Sequence, residues 1–362
     1  MATDFRPTAT LAGCAGLAVL ALALHGCATL GTEALSNGRG TYNAVLNRTE
    51  DEQVLSMIVR QRYAETYGLL AVSSITASLK VSASAAANFG IGSAQAYEGN
   101  LVPLEIGAVY EESPTISYVP LRGEEFVQRM LAPVTGPQVT LLSHMSTPDV
   151  EVLRFLIRRV NGLVNPLYAS VLPDDVHAFD RFLAVYVRLR ERGRLDVLHH
   201  ADGSSELLVH GYTAEEAADV DELLRSAGVD ARAHDGEPVV VPVGFVVGPP
   251  HRDTLDLETP SALEVLDAAS WGVDVPEPHL ADGIAERTAA VAAEPLLHIR
   301  SSRGRPDAAT VAVEHHGWWF YIDARDTASK QAFKVLRTLF GLRMDEAAQN
   351  LGAPLLTVPV KS

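Results

Sequence analysis

The chain has 362 residues, enough for one large domain or two of ordinary size, and its 47% hydrophobic content supports packed cores rather than wholesale disorder. A formal net charge of −16 leaves no basic footprint for nucleic acid and disfavours adhesion to anionic lipid through charge. The two cysteines, Cys14 and Cys27, both lie in the first thirty residues, so disulfides are not expected to hold the remainder together.

In chain order, Arg6 precedes an apolar run from Leu11 to Leu24 that closes on Leu24-His25-Gly26-Cys27. A short charged start, a brief hydrophobic stretch and a small residue before the cut are the marks of a secretory signal. The run is shorter than the roughly 20 apolar residues of a membrane-spanning helix. The pattern predicts a lipoprotein signal peptide over residues 1–26, cleaved between Gly26 and Cys27, with Cys27 acylated (palmitate among its chains). A rival motif, Leu11-Ala12-Gly13-Cys14, has no hydrophobic stretch before it. Several acyl chains anchor stably where one does not, and Ala28 in place of aspartate directs such a protein to the outer membrane. Residues 27–40 then read as a flexible tether rich in Gly, Ser and Thr. The expected location is the outer membrane, lipid-anchored through acylated Cys27 and facing the periplasm.

Thr49-Glu50-Asp51-Glu52 resembles a capping box ahead of Val54, Leu55, Ile58 and Val59 at helical spacing, with a stop near Tyr67-Gly68. The period then changes to two. Ile75, Leu79 and Val81 alternate with Thr76, Ser78 and Lys80, and a second alternating segment runs from Leu104 to Tyr110. Glu112-Ser113-Pro114 is expected to turn the chain into Ile116 and Tyr118. A short helix follows with Phe126, Val127, Met130 and Leu131 inward, then one capped by Thr147 and stopped at Asn161-Gly162. Asn165 to Pro173 is the expected boundary. A long helix from Asp174 carries Phe179, Phe182, Leu183 and Leu189, and a hairpin turns at Ala201-Asp202-Gly203-Ser204. Thr213 and Glu216 form another capping box, Val239 to Val247 reads as a strand covered on both faces, and Asp326 caps a helix carrying Phe333 and Phe340. These mixed helices and antiparallel hairpins predict an α+β fold in one or two periplasmic domains. The expected division is an N-terminal domain over 41–168 and a C-terminal domain over 174–362.

Candidate chemistry is sparse. His199-His200 with His210 and Asp202, or His315-His316, offer metal-ligand types. Adjacent strand residues point to opposite faces, however, so neither pair is expected to ligate, and no metal or other cofactor is assigned. Asp323 and Asp326 around Arg325 read as cap and charge pair, and Ser329-Lys330 cannot form a dyad because neighbours on a helix diverge. No nucleophile elbow or phosphate loop occurs, and no catalytic residue is assigned. Trp318, Trp319, Phe320 and Tyr321 are either a core strand or a binding surface.

The segments Tyr42-Asn43, Ile58-Val59-Arg60-Gln61-Arg62-Tyr63, Pro114-Thr115-Ile116-Ser117-Tyr118 and Gly317 to Asp326 with Ser329-Lys330 resemble recurring blocks of a family of proteobacterial outer-membrane lipoproteins of unknown function. The resemblance implies envelope location and no particular activity. Arg60, Arg62 and Tyr63, with Trp318 and Trp319, are the candidate interaction residues. The expected role is interaction or assembly with an envelope protein partner, without catalysis. Two alternatives stand beside it: an envelope-directed hydrolase, and an oligomeric pore of β-hairpins. The second is similar to curli-secretion lipoproteins in combining a lipid anchor with an amphipathic hairpin.

Overall fold

The computed structural model describes residues 40, 43–87, 104–121, 124–144, 150–168, 173–234, 236–245, 248–287, 295, 297–350 and 356–359. The signal peptide, Cys14, Gly26, Cys27, the tether up to residue 39 and the Thr147 cap lie outside the described residues. Among those described, helices and mixed sheets form an α+β fold.

The first helix, α1, covers residues 43–62. It starts ahead of the expected capping box, because the Thr49 hydroxyl donates back to the Leu46 carbonyl at 2.9 Å instead of capping a helix end. Two long strands follow, β1 (Leu69–Ala87) and β2 (Leu104–Leu121), paired antiparallel along their whole length. The turn expected at Glu112-Ser113-Pro114 is absent: these residues pair in register with Leu79, Ser78 and Ala77. Pro114 is tolerated where the ladder on the far side of β2 has stopped, since its neighbour Thr115 is the last β2 residue paired with the closing strand.

Three short helices come next, α2 (Glu124–Leu131), α3 (Gly136–His144) and α4 (Val150–Leu156). In α2 only Met130 is fully buried, with Phe126 packed against the core; Val127 and Leu131 are about half exposed, contrary to the expected inward face. The chain continues through β3 (Arg159–Val160), β4 (Leu163–Val164), α5 (Pro173–Glu191), β5 (Leu195–His199), β6 (Ser205–Val209), α6 (Ala217–Ser226), β7 (Val239–Phe245) and β8 (Leu255–Glu258). These strands make one sheet in the order β4-β3-β8-β7-β6-β5, with β7 and β8 parallel. The Thr213–Glu216 capping box forms as expected, each residue's backbone N–H bonded to the other's side chain. Strand β7 alternates buried and exposed residues, and Val240 is exposed, so it is covered on one face and not on both.

The last segment holds α7 (Ala262–Ser270), α8 (Glu277–Ala281), β9 (Arg300–Ser302), β10 (Ala309–His315), β11 (Trp318–Asp323), α9 (Thr327–Asn350) and β12 (Leu356–Pro359). Strand β12 adds to the edge of β2, and β10-β11-β9 form a separate antiparallel sheet.

Buried apolar residues form two clusters. One unites α1 (Leu55, Ile58), α7 (Val265, Leu266), β11 (Phe320, Ile322) and α9 (Leu336, Leu339, Phe340). The other unites α5 (Phe179, Phe182, Leu183) with α6 and the strands β5 to β8. Helix α4 serves both: Phe155 and Leu156 join the first, and Leu153, with Ile157 just past the helix end, the second. The cores interleave along the chain, the second drawn largely from residues between two stretches of the first.

Two consequences are measurable. Gly272 lies where a Cβ would fall 1.6 Å from the Leu297 carbonyl oxygen, and its own carbonyl accepts from Ile299 at 2.8 Å. Gly272→Ala is expected to lower stability by about 3 kcal/mol, seen as an earlier urea midpoint; an unchanged midpoint would contradict that close approach. Asp326 caps α9, accepting from the Ser329 backbone N–H at 3.0 Å and the Ser329 hydroxyl at 2.7 Å. Burial pushes its pKa up, but these bonds outweigh it and the carboxyl sits below its ordinary value. The stabilisation is therefore complete above the unfolded pKa of about 3.9 and is lost as pH falls through the lower folded value. Asp326→Ala should cost about 1 kcal/mol at neutral pH, and the gap to wild type should close in acid; a gap independent of pH would rule the cap out as its source.

Candidate functional site

A convergence of carboxylate and imidazole groups joins the end of α1 to the β10–β11 turn. Helix α1 ends in a Schellman arrangement: the Glu65 N–H bonds the Arg60 carbonyl at 2.9 Å and the Ala64 N–H bonds the Gln61 carbonyl at 3.1 Å. Ala64 takes the left-handed conformation usually given to glycine, with φ of 53°. The reversal sends the Glu65 side chain toward the far end of the sheet formed by β10 and β11.

There the two strands are joined by His316 and Gly317, with φ of 47° and 73°. Two successive positive φ values in a two-residue loop are the signature of the hairpin turn that matches strand twist. Because His316 is in the turn and not on the strand, its ring escapes the alternation that would send it away from His315. The rings of His315 and His316 lie 4.3 Å apart, centroid to centroid. The geometric objection raised from the sequence fails here for that reason.

Glu65 meets both imidazoles. Its Oε1 is 2.6 Å from His316 Nε2 and its Oε2 is 3.3 Å from His315 Nε2. The second contact is out of line for a hydrogen bond, which leaves the buried His315 Nε2 without a partner. The hydrogen bond from His316 holds the Glu65 carboxyl below its ordinary pKa. Burial lowers the His315 pKa, against the opposing pull of Glu65, and favours the neutral ring.

Tyr63 forms the wall of the site. It is 5% exposed, its ring meets His315 edge-on at 5.0 Å and Phe320 at 5.9 Å, and its hydroxyl bonds His279 Nδ1 at 2.6 Å. Burial pushes the Tyr63 phenol up to about 12, so it keeps its proton and donates to His279. Burial, with the neighbouring His316, lowers the His279 pKa, leaving Nδ1 free to accept. His279 comes from α8 and stands edge-on to Trp318 at 6.0 Å.

Of the interaction residues chosen from sequence, Arg60, Tyr63 and Trp318 are brought to this cluster. Arg60 pairs with Glu65 Oε2 at 3.3 Å. Arg62 points elsewhere and donates to the Glu286 carbonyl. The Trp318 ring is covered by Arg303 at 4.5 Å, and Trp319 by Arg305 at 5.3 Å, on the opposite side of the strand. Phe320 is core, while both tryptophans are only partly buried. Glu65 and His279 were not singled out from sequence. The signal that bears on the histidine pair is His316-Gly317 between two strands, which marks a turn of positive φ and frees position 316 from strand alternation.

The other histidine group stays apart: His210 pairs with Asp196 at 2.8 Å and His200 with Glu206 at 3.1 Å. His199 is held between Thr140 and Ser205, each at 2.8 Å. A cleft of about 810 Å³ lies far from Glu65 along the chain, beside Asn161, Asp221 and His251. Its polar groups hold backbone in place: Asn161 donates to the His251 and Thr254 carbonyls, and Asp221 accepts from the Ala233 N–H. No family model matches the chain, and no curated protein or solved structure matches it.

Tyr63→Phe should keep the ring contacts but leave His279 Nδ1 buried without its donor, at a cost of about 1–3 kcal/mol. Chemical denaturation measures it, and a loss under about 0.5 kcal/mol would mean the pair adds nothing to stability.

Proposed function

We propose that the chain is a lipid-anchored outer-membrane protein, facing the periplasm, that works by docking to an envelope protein partner and not by catalysis. The observation that carries this reading is the signal pattern ending at Leu24-His25-Gly26-Cys27, with its hydrophobic stretch and small residue before the cysteine. The resemblance to outer-membrane lipoproteins supports the same location. The body offers surfaces suited to a partner, among them the arginine-capped tryptophans Trp318 and Trp319 on β11. Aromatic and arginine side chains are enriched at such interfaces.

One observation favours a second reading, the oligomeric pore. The β1–β2 register sets Ile75 opposite Ile116, Val81 opposite Tyr110, Ala83 opposite Ala108 and Ala85 opposite Ile106. Between them Ser78 faces Ser113 and Lys80 faces Glu111. Opposed residues share a face of the sheet, so apolar and polar pairs alternate from residue 75 to 85, about the 9–11 residues that cross a membrane as a strand, with Val109 opposite Ser82 out of pattern. Glu112, opposite Leu79, interrupts the apolar set.

Cys27→Ser is expected to abolish incorporation of labelled palmitate and signal processing, while Cys14→Ser leaves both intact. Label on the Cys27→Ser protein would overturn the anchor. Crosslinking in intact cells should trap the lipidated chain with a different envelope protein. Ladders containing only this chain, together with discrete conductance steps in planar bilayers, would replace the docking reading with the pore.

A further inference from the structure

We propose that Glu65, His315 and His316 form a binding site for a divalent transition metal of the zinc class, clamping the end of α1 to the β10–β11 turn. Nothing in the docking function requires such a site, and it stands on separate observations. One carboxylate oxygen and two imidazole nitrogens lie within 4.8 Å of one another. Nitrogen and oxygen donors of these types are what zinc takes, and three protein ligands with a fourth place for water is a common arrangement. A tetrahedral ion with bonds of about 2.0–2.1 Å holds its donors about 3.4 Å apart. The 3.3 Å between Glu65 Oε2 and His315 Nε2 already has that spacing.

The second observation points to a ligand directly. The His315 side chain is about nine-tenths buried, and its Nε2 faces the carboxylate without any hydrogen-bond partner. A buried polar atom left unpaired carries a cost that a metal bond removes. The remaining contacts suit a ligand shell. Tyr63 stands edge-on to the His315 ring and tilted against His316, fixing both orientations. The side chain of His316 is 39% exposed, so the cluster opens to solvent on that side and an ion has a way in. Arg60, joined to Glu65 at 3.3 Å, is itself 41% exposed, so it can swing into water when a metal takes its place.

Zinc displaces the hydrogen bond between His316 Nε2 and Glu65 Oε1, because Nε2 must present its lone pair to the ion and the ring then carries its proton on Nδ1. Magnesium and calcium, which prefer all-oxygen shells, should not compete. The Trp318 ring, 6.0 Å from His279, lies next to the site and offers a fluorescence signal.

The test is titration of the purified full-length protein in detergent with zinc chloride, by calorimetry and by tryptophan fluorescence, with magnesium chloride as the comparison ion. One equivalent of zinc should bind and raise the thermal midpoint, and magnesium should do neither. Glu65→Gln and His316→Gln should each weaken zinc by at least about 100-fold, the upper end of the loss seen for supporting residues alone. Both side chains are partly exposed, so these variants remain informative even if His315→Ala fails to fold. Cobalt should give the intense visible absorption of a four-coordinate ion, lost in the same variants. His200→Ala and His210→Ala, at the other histidine group, should change nothing. Absence of zinc binding up to millimolar concentration would overturn the proposal, as would binding that survives Glu65→Gln and His316→Gln or that vanishes in His200→Ala.

Discussion

The fold depends on the union of α1 with α9 across nearly the whole chain. Arg337 of α9 bonds Asn47 of α1, 290 residues away, at 3.0 Å, and also pairs with Glu50 and Asp51. These partly exposed ion pairs contribute little by themselves. What they align is the apolar seam beside them, in which Leu55 and Ile58 share a cluster with Leu336, Leu339 and Phe340, all essentially free of solvent contact. Full burial of each such side chain stabilises by roughly 1.5–3 kcal/mol. The seam also sets the height and direction of the α1 terminus, and with them the position of Glu65. At the far end of α9, the closing strand β12 adds to β2, so the same helix links the core to the long hairpin.

Two left-handed residues then create the Glu65 cluster. Ala64 and His316 are among the three non-glycine residues with positive φ in the described part of the chain; the third is Asn161. For a residue with a Cβ this region costs on the order of 1–2 kcal/mol. At Asn161 the side chain has local compensation, accepting from the Asp256 N–H and donating to two carbonyls. At Ala64 the compensation is the pair of Schellman bonds, and at His316 it is the tight turn with Gly317. Each of the two conformations turns a side chain out of its regular path, and the two paths meet. Tyr63 and His279 seal the inner side with a single short hydrogen bond.

Several local signals in the sequence hold in the structure. The Thr213–Glu216 box, the Asp326 cap and the apolar stripe of α5 all depend on residues three or four apart, and each forms as the pattern requires. The structure departs from the pattern where another contact, near or distant, overrides a local cue. Thr49 has a better partner one turn behind it, and Glu112-Ser113-Pro114 is held straight by pairing with β1. Val239 to Phe245 is apolar throughout, yet half of it faces outward, because apolar composition does not say how many faces are covered. The site was legible only in its separate pieces. Tyr63 and the histidine pair stand out in the sequence, but strand alternation does not govern His316, which lies in the turn. Nothing in the sequence links Glu65 or His279 to residues 315 and 316, since their meeting is decided by the α1–α9 seam.

The interleaving of the two cores carries a temporal consequence. A chain made from its N-terminus has every buried residue of the second core in hand once Leu255 has emerged. The first core still lacks Phe320, Ile322 and all of α9 at that moment. Domains generally form as units in order of synthesis, so the lobe built on α5 and α6 is completed while the earlier-made α1 waits with its apolar stripe uncovered. The oldest part of the molecule is thus among the last to be buried. A chain stalled or clipped before α9 would hold a finished lobe beside an open hydrophobic seam, the kind of surface that binds chaperones or other unfinished chains.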